Sequence, residues 1–186
     1  AVLLGALIST GNAQVFWQAD FGPWGGRVND LCEDPEGNLY AATMQGLVFS
    51  DNEGASWRLL ALEGEDLRAV HYTQQGTLLV ATRNKLLRST DLGIQWTYIS
   101  PIYDFVPRPG RKIFGFFQHS SGALFFSNEL LFTLSMDDGQ TWERFGFSDD
   151  QEMDRWSEAE NGLLMDGYHH YILPDQKGQH TTELTV

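Results

Sequence analysis

One eight-residue pattern occurs three times in this chain, and it limits the possible folds more than any other feature. Its form is S-x-[DN]-x-G-x-x-W, and the copies begin at Ser50, Ser89 and Ser135. The copies are separated by 39 and then by 46 residues. Such spacing indicates an internal repeat, in which each unit forms one supersecondary structure that packs against its neighbours.

Each repeat has the same order of turn signals and short apolar runs. In the first repeat the predicted strands are Val28–Glu33, Asn38–Thr43, Gly46–Phe49 and Trp57–Ala61. The second repeat continues through Leu78–Thr82 and Leu86–Arg88, and the third through Ala123–Phe126 and Leu130–Leu134. Four short strands in each unit of about 40 residues are typical of propeller blades. We therefore predict an all-β fold, a β-propeller of four-stranded antiparallel blades that forms a partial ring of about four blades.

The register of the repeat also divides the chain. The blades are expected at about residues 26–61, 65–100, 111–147 and 150–186, with an eroded motif at 174–181 in the last. Together they form a propeller segment over residues 14–186. Residues 1–13 have an apolar run followed by Asn12-Ala13-Gln14, which resembles the end of a signal peptide with cleavage after Ala13. Because no starting Met and no basic segment precede this run, the chain is expected to lack its original N-terminus. The protein is expected to be bacterial and either secreted, periplasmic or at the cell surface.

The repeated motif resembles the Asp box, also called the bacterial neuraminidase repeat. The surrounding residues, from Gly22-Pro23-Trp24-Gly25-Gly26-Arg27-Val28 to Gly46-Leu47-Val48, are similar to secreted bacterial propellers of the sortilin-like and two-component-regulator types. The resemblance extends from about residue 15 to residue 178. It implies the fold and, only distantly, the activity of sialidases.

The motif residues are expected to build the hairpin between the third and fourth strands of each blade. The Asn or Asp side chain can bond to the backbone of its own turn, the glycine allows a left-handed step, and the tryptophan packs between blades. The structural residues predicted in this way are Ser50, Asn52, Gly54, Trp57, Ser89, Asp91, Gly93, Trp96, Ser135, Asp137, Gly139 and Trp142. A calcium site is the alternative, but each turn offers only one or two carboxylates where the ion needs six or more oxygens. No metal or cofactor site is therefore predicted.

Composition excludes several classes of function. The net charge of −13 argues against nucleic-acid binding, which leaves a basic footprint. The single cysteine, Cys32, cannot form a disulfide framework and is expected to be a small core residue. No segment other than the first residues is apolar enough to suggest a membrane anchor, and that run is too short to span a bilayer.

An enzymatic function was tested through the resemblance to sialidases, which implies three arginines, a tyrosine with a glutamate partner, and an acidic residue. Arg27 lies roughly where the first arginine is expected, but Val28-Asn29 follows it in place of Ile-Pro. No second or third arginine can be assigned by motif. A β-glucanase would need a pair of acidic residues, and none of the 25 acidic residues is distinguished by its neighbours.

A binding surface is predicted on the face formed by the loops between blades and between second and third strands. The third repeat is longer because of the segment 100–111, which carries aromatic residues, prolines and arginines. The candidate binding residues are Trp24, Arg27, Arg83, Lys85, Tyr103, Arg108 and Arg111. The favoured function is a non-catalytic secreted binding or scaffold propeller that recognises an extracellular glycan, peptide or partner domain. A sialidase or β-glucanase and a purely structural or assembly segment remain the alternatives.

Overall fold

The computed structural model describes residues 27–99, 113–128, 131–144, 157–158, 164–165 and 170–171, and every regular element in them is a β-strand. The strands of the first unit are β1 Val28–Glu33, β2 Leu39–Thr43, β3 Gly46–Ser50 and β4 Arg58–Ala61. Those of the second are β5 Leu67–Tyr72, β6 Leu78–Thr82, β7 Leu86–Ser89 and β8 Thr97–Ile99. The third has β9 Ile113–Gln118, β10 Leu124–Asn128, β11 Leu131–Ser135 and β12 Glu143–Arg144. The last unit has β13 Ser157–Glu158, β14 Leu164–Met165 and β15 His170–Tyr171.

Each of the first three units is a four-stranded antiparallel sheet in which consecutive strands are neighbours. The last unit is a three-stranded sheet of two-residue strands, consistent with its eroded motif. Strand β1 lies beside β5 of the next sheet, and β5 lies beside β9. The first strands therefore form the inner side of the assembly, and the sheets are the radial blades of a partial β-propeller. The predicted all-β propeller fold is confirmed, and the strand bounds that the sequence predicted agree with the observed ones to within two residues.

The core lies between the blades. Blades 1 and 2 enclose one buried cluster, which consists of Tyr40, Ala42, Leu47, Leu67, Val70, Leu78, Val80 and Leu87. Blades 2 and 3 enclose a second, which consists of Ala69, Leu79, Ala81, Leu86, Ile99, Leu124 and Phe126. The central strand β6 contributes to both clusters, one from each of its faces, and β2 and β6 are both buried almost throughout. This explains why these strands have continuous apolar runs instead of alternating polar and apolar residues.

The three Asp-box turns share one hydrogen-bond pattern. In each turn the serine hydroxyl donates to the Asn or Asp side chain two residues later, at 2.8–2.9 Å, and accepts the glycine N–H at 2.9 Å. The Asn or Asp oxygen accepts a backbone N–H from four residues further on. The glycines have φ between +78° and +88°, a left-handed conformation that other residues rarely adopt. The indole N–H of Trp96 and of Trp142 donates to the carbonyl of its motif glycine.

The third Asp-box turn also joins blade 3 to blade 2. Asp138 has φ +58° and directs its carboxylate onto blade 2, where it accepts bonds from Arg88 Nη2 at 2.8 Å and from the Thr77 hydroxyl. Arg88 Nε donates to the Asp138 carbonyl at 2.9 Å. Both charged side chains are largely buried. This contact is therefore a shielded ion pair across the interface between two blades.

Candidate functional site

One end of blade 2 brings two separate loops together. The connection from β4 to β5 covers residues 62–66, and the turn from β6 to β7 covers residues 83–85. Two ion pairs join them: Arg83 Nε lies 3.1 Å from Asp66 Oδ2, and Lys85 Nζ lies 2.6 Å from Glu65 Oε1. We call this end of the blades the loop face. It is the face on which the sequence predicts a binding surface.

The β4–β5 connection is held in place by its own backbone. The Gly64 N–H donates to the Gln45 carbonyl of the β2–β3 turn at 2.9 Å, and the Glu65 N–H donates to the Leu62 carbonyl at 3.1 Å. Leu62 has φ +56° and packs against the core between blades 1 and 2. The acidic residues at the end of this loop are therefore presented from a fixed backbone.

The β6–β7 turn is equally constrained. The Thr82 N–H donates to the Lys85 carbonyl at 2.9 Å, and the Thr82 hydroxyl accepts the N–H of Lys85 at 3.0 Å and that of Asn84 at 3.3 Å. Because Thr82 itself is buried, the turn is fixed to the blade. Arg83 and Lys85 project from this turn toward the acidic residues of the neighbouring loop.

A further arginine completes the cluster. Arg68, on the inner strand β5, also bonds through Nη2 to Asp66 Oδ2, so that two guanidinium groups share one carboxylate oxygen. We call Glu65, Asp66, Arg68, Arg83 and Lys85 the charged cluster. Its side chains range from 20% exposed at Arg68 to 53% exposed at Arg83. Three cations against two carboxylates give the cluster a slight positive charge in a strongly acidic protein.

Two polar atoms of this cluster have no hydrogen-bond partner within the described part of the chain. They are Asp66 Oδ1, an acceptor, and Arg68 Nε, a donor, and both are buried. A buried polar atom without a partner costs about 1–3 kcal/mol. The cluster therefore contains an unused donor and an unused acceptor on two residues that contact each other.

Arg68 occupies its place because of a β-bulge. The register of β5 on β6 shifts between Leu67 and Ala69, so that Arg68 is the extra residue. Equivalent shifts make Asn29 the extra residue of β1 and Phe114 that of β9. Bulges of this kind redirect a side chain at the rim of a sheet. The same backbone irregularity in three blades thus carries an amide, a guanidinium and an aromatic ring.

Asn29 and Asp30 bond to the backbone around the bulge at Arg68. The Asn29 amide donates to the Leu67 carbonyl at 2.6 Å, and Asp30 Oδ2 accepts the Val70 N–H at 2.9 Å. Burial raises the pKa of the Asp30 carboxyl, and the two backbone N–H groups that it accepts only partly oppose the change. The two side chains join the inner strands of blades 1 and 2 directly behind the charged cluster.

The candidate residues from the sequence fall into three groups. Arg83 and Lys85 lie in the charged cluster, where each is paired with a carboxylate, and Arg27 is exposed immediately before β1. Trp24, Tyr103, Arg108 and Arg111 lie outside the described residues. Sequence reasoning did not single out Glu65, Asp66 or Arg68. The sequence did contain a signal for the two acidic residues: the segment 62–66 is predicted on the loop face, where its acidic residues lie opposite the basic residues of the β6–β7 turn.

Neither a metal centre nor a membrane span is found in the described ranges. Among these residues no three His, Cys, Asp or Glu side chains are grouped so that they could hold a metal ion. None of the described segments is a helix long and apolar enough to cross a bilayer.

Comparisons with known proteins agree on the fold. No family model matches the chain, and no curated protein matches it in sequence. An ancestral GH74 enzyme matches with a TM-score of 0.59 and 14% identity, over 78% of this chain and 22% of that one. The extracellular domain of a putative one-component system from B. thetaiotaomicron matches with a TM-score of 0.57 and 8% identity, over 77% and 20%. YCF48 bound to D1 peptide matches with a TM-score of 0.51 and 19% identity, over 64% and 40%.

At these identities the likeness concerns the fold alone. The chain spans about a fifth to two fifths of the length of these three solved structures. The protein thus belongs, by its architecture, to the β-propellers, a class whose members include enzymes and extracellular sensor domains.

Proposed function

We propose that this propeller is a non-catalytic binding or scaffold module that recognises an extracellular glycan, peptide or partner domain through its loop face. The observation that carries the proposal is the charged cluster, in which two fixed loops and an inner strand bring five ionisable side chains together. Preorganised polar groups of this kind lower the cost of ordering a site when a ligand binds.

The stability of the fold does not explain the cluster. Ion pairs between exposed side chains contribute only about 0–1 kcal/mol, and the unpartnered Asp66 and Arg68 atoms are unfavourable for folding. The Arg88–Asp138 pair differs in its place, because it is largely buried and joins two blades, which gives it an evident structural role. Binding of a ligand to the charged cluster would explain why the chain has polar groups there that do not stabilise the fold.

Similar folds and the sequence support the setting of this proposal. One similar structure is an extracellular domain of a putative one-component system, and another is described as bound to a peptide. The resemblance of the repeat to secreted Asp-box propellers and of residues 1–13 to a signal peptide also favours a bacterial cell surface or secretion. We therefore place the proposed binding event outside the cytoplasm.

A glycoside hydrolase is the second candidate, because the ancestral GH74 enzyme shares the fold. Hydrolysis of a glycosidic bond requires one carboxyl group that donates a proton and a second that acts as base or nucleophile. In the charged cluster both carboxylates are already bound to cations of the chain itself, Asp66 to two arginines and Glu65 to Lys85. Binding without turnover is therefore the better-supported function.

The test is a screen of the whole chain on glycan and peptide arrays, with assays for released reducing sugar and sialic acid. The double variant Arg83→Gln/Lys85→Gln should lose at least tenfold in affinity for a ligand that the wild type retains. Arg58→Gln/Arg144→Gln is the matched control, because it removes two exposed cations from the outer strands β4 and β12. Sugar release by the wild type, or an equal loss in the control, would contradict the proposal.

A further inference from the structure

The two unpartnered atoms of the charged cluster indicate which chemical groups a ligand would need in order to bind there. Arg68 Nε needs an acceptor and Asp66 Oδ1 needs a donor, and the two residues are in direct contact through Asp66 Oδ2. A group that accepts one hydrogen bond and donates another beside it would satisfy both atoms. Adjacent hydroxyls of a sugar ring have this property, since each hydroxyl is both a donor and an acceptor.

We propose that Asp66 and Arg68 form a subsite for a neutral carbohydrate, which they hold through a pair of neighbouring hydroxyl groups. The inference rests on the proposed binding function and specifies the chemistry of its ligand. The expected arrangement is a hydroxyl oxygen that accepts the Arg68 Nε–H and an adjacent hydroxyl that donates to Asp66 Oδ1. Both atoms are buried in this structure, so binding requires the partly exposed side chains of Asp66 and Arg68 to move until the ligand reaches the two atoms.

Charge favours a neutral ligand over an anionic one. Both arginines of the charged cluster already share Asp66 Oδ2, and Lys85 is paired with Glu65. An anion would have to compete with these internal carboxylates. It would also approach a protein with a net charge of −13, whose overall field repels it. A neutral sugar meets neither obstacle.

The type of recognition group favours a sugar over a peptide backbone. Extended peptides are commonly bound as an additional strand, which requires the free N–H and C=O groups of a sheet edge. At the charged cluster the available groups belong to side chains, whereas on the nearby edge strand β5 the Leu67 carbonyl and the Val70 N–H are already taken by the side chains of Asn29 and Asp30. The groups offered here are those that recognise hydroxyls.

The variant Asp66→Ala gives opposite results for the two chemistries. If the ligand is a neutral sugar, removal of the acceptor should weaken binding by about tenfold or more, which corresponds to one hydrogen bond to a charged group. If the ligand is an anion, the same change frees two guanidinium groups and should strengthen binding. Asp51→Ala is the matched control, because it removes one exposed carboxylate from the first Asp-box turn, away from the loop face.

A second variant tests the donor. Arg68→Lys keeps the positive charge but removes the Nε–H and the planar fork, so that neutral sugar binding should again fall by about tenfold or more. The probe is an array of neutral gluco-, galacto- and manno-oligosaccharides together with uronate-containing oligosaccharides and acidic peptides. Calorimetry on the neutral oligosaccharide with the strongest signal then gives the affinities, and circular dichroism verifies that each variant is folded.

The results separate this inference from the broader function. Neutral sugar binding that falls in both cluster variants and stays constant in Asp51→Ala supports the subsite. Binding of uronates or acidic peptides that rises in Asp66→Ala would overturn the neutral-sugar subsite and leave the loop face as a binding surface. Neutral sugar binding that neither variant changes would also overturn it. A wild-type chain that retains no ligand of any class would remove both proposals.

Discussion

The serines of the three Asp-box turns should contribute unequally to stability, although their hydrogen bonds have the same pattern. In each turn the serine oxygen accepts the glycine N–H at 2.9 Å. At Ser89 and Ser135 this bond is buried and the hydroxyl donates to an aspartate, whereas at Ser50 the bond is partly buried and the acceptor is Asn52. The surroundings, and not the motif, should decide the energetic effect.

The expected loss of unfolding free energy follows from the groups that lose a hydrogen-bond partner when alanine replaces serine. Ser89→Ala removes the acceptor of a buried N–H group, which costs about 1–3 kcal/mol because water cannot reach the donor. The lost bond from the Ser89 hydroxyl to the Asp91 carboxylate adds little, since water can take the place of the hydroxyl at this partly exposed side chain. We expect about 2 kcal/mol for Ser89→Ala and Ser135→Ala, and about 1 kcal/mol or less for Ser50→Ala.

Urea unfolding followed by tryptophan fluorescence measures these differences. Thr90→Ala is the matched control, because Thr90 is the exposed residue immediately after Ser89 and its change should alter stability by no more than about 0.5 kcal/mol. Equal losses for Ser50→Ala and Ser89→Ala would refute the reasoning from burial. A loss for Ser89→Ala as small as that of the control would refute the structural function of the serine.

Two further changes test the contacts between blades. Arg88→Met should destabilise the chain by about 3 kcal/mol, because it leaves the largely buried carboxylate of Asp138 without its cation, and Asp138→Asn in the same chain should recover part of the loss in urea titrations. Trp96→Ala should destabilise the chain by about 3 kcal/mol, which is at the lower end for large aromatic residues because the indole is only partly buried. A melting temperature within a degree of the wild type would contradict the packing function of Trp96.

The fold could be predicted because its determinants are local and repeated. A turn signal, a continuous apolar strand and an Asp box recur in the same order every 39 to 46 residues, and each of them predicts the position of a strand independently of the others. The bounds of β1 and β6 agree with the sequence prediction at both ends. The last repeat gave a weaker prediction, and its strands in the structure are only two residues long.

The charged cluster could be predicted only in part, because it depends on distances between segments that are separate in the sequence. The sequence predicted Arg83 and Lys85 as candidate binding residues, which would have given this rim of the loop face two cations. Their carboxylate partners lie 17 and 20 residues earlier, in a different loop. The contribution of Arg68 depends on a bulge in β5, which no residue type in that strand indicates. Side-chain pairing across loops thus changed the expected cationic rim into a nearly neutral cluster.

His71 gives the interface between blades 2 and 3 a predictable response to pH. Burial of the ring lowers the pKa of His71 below its ordinary value of 6.5, and this outweighs the hydrogen bond that the ring donates to Gln118 and the charge of Asp138, both of which favour the protonated form. Its Nε2 is buried without a partner in the described residues, and the ring lies 6.2 Å from that of Phe116. The neutral imidazole is therefore the form that suits this interface.

The sign of the effect follows from which state takes up the proton first. As the pH falls through 6.5, the unfolded chain binds a proton at His71 and the folded chain does not, so stability is lost until the lower folded-state pKa is reached. The slope from this group cannot exceed about 1.4 kcal/mol per pH unit. His71→Phe, which places at this position the residue found at the equivalent Phe117 of blade 3, should flatten the decline in urea-unfolding free energy between pH 7 and pH 5. His119→Asn, which removes a different histidine of the described blades, should leave the His71 contribution in place. If the decline persists in His71→Phe and disappears in His119→Asn, the pH response does not come from His71.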